Sequence, residues 1–291
     1  YGIWGSKSPE VNIPSASELK QLYAEELIKK IHSITSYQHR ILYYGPMTQE
    51  TFTTEINRLH RVPDTLLPIL EGIEFKQQMI TEPKVLLAKY DAKQIYMSMI
   101  SNRGESFDET INPAMSMYNE YFSGSMNAIV FQEMREARGL AYSAGAYLIT
   151  PSKLKYPYIF RTFIATQNDK MDDALKAFDS IINDMPLSEK AFNLAKDALI
   201  TRLRTERIIK SDVLWTYIQA TDLGMKHDNR KELFEQAQTM TLADLKAFQE
   251  KWIKGRNYIY CILGDEKELD MKKLSTYGPI QQLSQEEIFG Y

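Results

Sequence analysis

The chain has 291 residues, with 35 Lys and Arg against 38 Asp and Glu, 44% apolar residues and a single cysteine. That is enough for one large domain or two, and 13 Gly with 11 Pro is too few for a disordered or collagen-like chain. A net charge of -3 without a long basic run excludes a nucleic-acid footprint, and no apolar run approaches the roughly 20 residues of a membrane-spanning helix.

Residues 15–34 carry Leu19, Leu22, Tyr23, Leu27 and Ile31 at helical spacing, with Ser17 as the expected cap. A strand over 40–44 ended by Gly45-Pro46 and a helix over 48–59 follow. The far end repeats this order: helix 242–253, strand 257–263, turn at Gly264-Asp265, helix 266–274. One complete repeat preceded by the tail of another is expected, with residues 1–62 as the tail, 63–83 as a Pro-containing linker and 84–291 as the complete domain. The start at Tyr1 without Met suggests a fragment or a processed chain.

Strands over 85–90 and 94–100 flank Asp91-Ala92-Lys93 and are expected to pair as an antiparallel hairpin. Asn112-Pro113 opens a helix with Asn112 as cap, Ser123-Gly124-Ser125 interrupts it, and a second helix covers 126–137. Gly139 is placed to end that helix in the left-handed conformation. Strands over 140–150 and 156–166 and helices over 169–184, 188–210 and 212–224 complete the reading. Strands precede helices, so the class is α+β: an antiparallel-rich mixed sheet with helices on one face.

Chemistry-bearing motifs are scarce. The four histidines, His32, His39, His60 and His227, lack the spacing that puts two imidazoles on one helix face, and His39 and His60 read as solvated surface. Cys261 lies in an apolar run and reads as a small buried hydrophobe. Acidic pairs such as Asp172-Asp173 read as charged helix faces.

Residues 121–145, YFSGSMNAIVFQEMREARGLAYSAG, stand apart. They resemble a segment in the second half of the insulinase/pitrilysin family of zinc metallopeptidases, which includes the mitochondrial processing peptidases. That segment has a glycine break, a helix beginning near a Ser, an Arg in its last turn, a Gly-Leu pair and a Tyr opening the next strand. Gly124, Ser125, Arg135, Gly139, Leu140 and Tyr142 occupy those places here. The order of elements from about residue 81 to 275 extends the resemblance.

Active members of that family hold zinc with an H-x-x-E-H motif in their first half, and this sequence lacks it. The resemblance therefore implies a processing-peptidase/LuxS-like fold and a non-catalytic half, with no metal ligand or cofactor in this chain and zinc in the partner half. That partner half would be another segment of the polypeptide or a separate subunit, the ligand would be a peptide, and the chain would be inactive alone. Arg135 and Tyr142 would hold the substrate backbone and support the transition state, with Gly124 and Gly139 shaping the site. A catalytically dead assembly subunit and a free-standing peptide-binding module are the alternatives. No nucleic-acid partner or membrane span is expected; the chain is expected to be soluble, and the compartment stays open.

Overall fold

The computed structural model describes residues 1–91 and 93–291; Ala92, and with it part of the expected hairpin turn, lies outside the described residues. The helices in chain order are α1 (Ala16–Leu19), α2 (Ala24–Ser33), α3 (Gln49–Leu59), α4 (Asn112–Ser123), α5 (Ile129–Phe131), α6 (Met171–Asn183), α7 (Glu189–Thr205), α8 (Ser211–Asp222), α9 (Arg230–Thr239), α10 (Leu242–Phe248), α11 (Met271–Leu274) and α12 (Gln285–Phe289). The strands are β1 (Lys84–Lys89), β2 (Gln94–Ser101), β3 (Ala141–Ile149), β4 (Ile159–Gln167), β5 (Ile259–Gly264) and β6 (Ile280–Leu283).

All six strands form one sheet in the order β3-β4-β2-β5-β1-β6. β3, β4, β2 and β5 pair antiparallel in succession, while β1 runs parallel to both of its neighbours. The antiparallel-rich mixed sheet expected from sequence is therefore present. The expected hairpin is not: β5 lies between β1 and β2, parallel to the first and antiparallel to the second. An apolar run buried on both faces suits the centre of a sheet, and Tyr258 to Ile262 supplies one that the local pair cannot match.

Period-2 alternation gives the sheet two unlike faces. Val85, Leu87, Ile95, Met97, Ile164 and Ile262 join one core with Met117, Tyr118, Tyr121 and Phe122 of α4 and Phe178 and Ile181 of α6. On the opposite face Leu86, Ile100, Ile159, Ile259 and Leu283 form a smaller core, covered by Tyr1 and Ile3 of the N-terminal arm and Ile288 of α12.

Several local expectations change. Ser15, rather than Ser17, caps α1, because Ser15 and Glu18 exchange the reciprocal bonds of a capping box. The expected helix over 15–34 is two helices with a break at 20–23. Asn112 is the first residue of α4 and not its cap; Asp108 caps the preceding 3-10 turn, accepting from Thr110 N–H at 3.0 Å. Residues 40–44 pair with no strand, and Ile41, Leu42 and Tyr44 are exposed. The expected helix over 266–274 is reduced to α11, and α9, β6 and α12 had no counterpart in the sequence reading.

Candidate functional site

The site is built from α4, the turn after it, and the outer strand β3. In an antiparallel pair, alternate residues direct both N–H and C=O away from the neighbouring strand. On β3 these include Ala146 and Leu148, and α4 covers them. Ser123 Oγ accepts from Ala146 N–H at 2.9 Å, while Asn119 accepts from Leu148 N–H at 3.0 Å and donates to Leu148 C=O at 2.9 Å. Asn119 and Ser123 are four residues apart and thus share one helix face. Tyr147 closes the edge further, donating from its hydroxyl to Ser123 C=O at 3.0 Å.

The cap does not continue toward the start of β3. Ala144 is the next residue with an outward-directed peptide, and no side chain among the described residues caps it. The pairing with β4 shifts register between Ala141 and Ser143. The edge nearest Gly139 is therefore irregular.

Arg135 stands beside this end. The expected helix over 126–137 begins at α5 and widens over Gln132–Ala137 into a π-helical turn, a distortion often found at functional sites. The wide turn buries Met134 completely and leaves the Arg135 side chain 41% exposed. Its guanidinium lies over the Phe131 ring, 4.9 Å from the centroid, and Nε is 3.5 Å from a Glu136 carboxylate oxygen.

Gly139 ends the turn with φ +55, as its position implied. Its N–H donates to Arg135 C=O at 3.0 Å, and Leu140 N–H donates to Met134 C=O at 2.8 Å. Lys170 Nζ donates to Gly139 C=O at 2.9 Å, tying the turn to the start of α6. Gly124 ends α4 with ordinary right-handed geometry, and a Cβ there would meet the Glu120 main chain at 2.7 Å. Tyr142 belongs to β3, and its side chain lies outside the described residues.

His39 is exposed and His60 half-buried, in keeping with a surface position, and the two meet there: their Nε2 atoms lie 2.7 Å apart, and His39 Nδ1 is 2.6 Å from Tyr37 C=O. The carbonyl only accepts, so Nδ1 is the donor in that contact, while either ring can be the donor between the two Nε2 atoms. The rings meet edge to face, 4.9 Å between centroids, the approach of a hydrogen bond along one line. His227 meets Glu232 at 2.9 Å. No group of three or more His, Cys, Asp or Glu among the described residues could hold a metal ion. Nor is any described helix long and apolar enough to cross a membrane.

The sequence reading did not single out Asn119 and Ser123 as site residues. Their signal was an Asn and a Ser at i and i+4 on a helix otherwise rich in buried apolar residues.

Residues 73–199 match a family model described as the peptidase M16 inactive domain, the family to which the resemblance pointed. No curated protein matches the sequence. Among solved structures, a peptidase M16 inactive domain from Pseudomonas fluorescens is similar with a TM-score of 0.56 and 16% identity, over 69% of this chain and 47% of that one. A conserved protein from Enterococcus faecalis gives 0.68 and 14%, over 88% and 59%. The periplasmic protease PqqL from Escherichia coli gives 0.56 and 14%, over 76% and 25%. The chain thus spans less than two thirds of each of these structures, and at such identities the likeness is one of fold.

Proposed function

From a chain whose residues 73–199 carry the peptidase M16 inactive domain, we propose the substrate-holding, non-catalytic half of an insulinase-like metallopeptidase. The metal and its general base belong to another half, in the same polypeptide or a separate subunit, and residues 1–62 are the tail of a preceding unit of the same type. The observation that carries this reading is Arg135, in contact with Phe131 and Glu136 within a π-helical turn beside the irregular start of β3. A guanidinium fork can donate two parallel hydrogen bonds to the carbonyls of an extended peptide. Ala144 offers that peptide a backbone partner of its own.

Tyr142 enters as the second donor, because a phenol aimed at a carbonyl oxygen stabilises the charge that develops there during attack. The test is reconstitution: this chain is combined with a half bearing H-x-x-E-H, and peptide turnover is measured with and without it. Turnover that requires both halves supports the reading. Full turnover by the zinc half alone favours the assembly-subunit alternative.

A further inference from the structure

The sheet face opposite the helices is covered over only part of its length. At the end where β1 begins, the N-terminal arm and α12 close it: Tyr1 and Ile3 pack on Leu86, Ile100 and Ile259, and a Cβ on Gly2 would lie 2.7 Å from Cys261 Sγ. At the other end, where β3 begins and the Arg135 turn finishes, the same face is open. Leu263 of β5 pairs with Tyr96 of β2, Tyr96 with Ala165 of β4, and Phe163 with Gly145 of β3. These pairs place Leu263, Tyr96 and Phe163 in one continuous band. Tyr96 and Phe163 are each 36% exposed, and Leu263 is 43% exposed. Their aromatic rings lie in a chain, with Tyr90 to Tyr96 at 6.0 Å and Tyr96 to Phe163 at 6.4 Å between centroids.

One cation sits in this band. Arg161, two residues before Phe163 on the same face of β4, is exposed and donates from Nε to Ser98 Oγ at 3.2 Å. Ser98 in turn donates to Thr162 C=O at 2.6 Å, which fixes the acceptor. No ion pair with Arg161 occurs among the described residues. Its terminal nitrogens are the donors left for a ligand, and the charge they complement is a carboxylate.

We propose that this open face binds an extended peptide carrying an apolar or aromatic side chain and an acidic side chain two positions apart. Side chains two apart on an extended peptide lie about 6.6–7 Å from each other, the same repeat that separates Arg161 from Phe163. The chain's own arm already places an aromatic, a glycine and an aliphatic residue on the adjoining half of the face, so a peptide over the open half continues that cover toward Arg135. This inference rests on the reading of the chain as a substrate-holding half, and it adds which peptides are preferred.

Calorimetric titration of the whole chain with a short peptide bearing Phe and Glu two positions apart, and with its Gln counterpart, tests this without any partner half. Arg161→Gln should weaken the Glu peptide about tenfold and leave the Gln peptide unchanged, as expected for loss of a charge-assisted bond. Phe163→Ser should weaken both. Circular dichroism of each variant checks that the fold persists. Peptide binding that responds to Arg135→Lys but to neither face variant overturns this inference and leaves the Arg135 site standing. No binding by the wild-type chain also overturns it, whatever the reconstituted turnover shows. Sedimentation closes the remaining route: an oligomer that Phe163→Ser dissociates, with peptide affinity unchanged, assigns the face to a second copy and overturns the proposal.

Discussion

Asn119 and Leu148 exchange two hydrogen bonds, of 2.9 and 3.0 Å, through which a helix side chain plays the part of a neighbouring strand. Leu148 is buried, so its peptide groups have no water to fall back on. Asn119→Ala should cost about 1–3 kcal/mol, the penalty for leaving buried polar groups unpaired. It also bares the edge of β3, which invites pairing between chains. Urea unfolding and sedimentation of the variant measure both effects, and unchanged stability would mean that β3 finds other partners.

Gly139 makes a cleaner test of backbone strain, because a Cβ there would meet nothing within 4 Å. Gly139→Ala therefore adds no clash and should lose about 1–2 kcal/mol solely through the left-handed conformation. Gly139→Asn should lose less, since Asn tolerates that region. Equal losses in the two variants, read from thermal unfolding, would show that the π-helical turn itself has come apart.

Asp172 links stability to acid. The hydrogen bond from Lys176 at 2.7 Å, then the nearby charges of Lys176 and Lys273 and the Tyr277 hydroxyl, hold its carboxyl below the usual range. A depressed carboxyl contributes stability that is present above its unfolded value, near 3.9, and lost as pH falls through the lower folded value. Asp172→Asn should flatten the fall in melting temperature below about pH 4. A slope identical to wild type would remove Asp172 from the acid limb.

Arg135 and Tyr142 are tested in the reconstituted enzyme. Tyr142→Phe should lower kcat on the order of 10²–10³-fold with little change in peptide binding, as for loss of one transition-state donor. Arg135→Lys should impair both KM and kcat, because an ammonium cannot reproduce the planar fork. Changed melting temperature with near-normal kinetics would instead assign both residues to packing.

The sequence by itself determined what depends on near neighbours. Gly139 could be read as a helix terminator because only a residue without Cβ adopts φ +55 at little cost. The strands over 85–90, 94–100 and 140–150 were legible from their alternation or apolar runs, and Arg135 and Tyr142 stood out through spacing and family resemblance. Tertiary structure decided the pairings. Alternation says which side chains share a face and nothing about which strand lies beside which, so the insertion of β5 between β1 and β2 was hidden. For the same reason residues 40–44, strand-like in composition, form no strand where no partner edge reaches them. The meeting of His39 with His60 across 21 positions, and the capping of β3 by Asn119 and Ser123, are likewise long-range choices. They follow from the need to satisfy polar groups wherever the packed layers happen to bring them together.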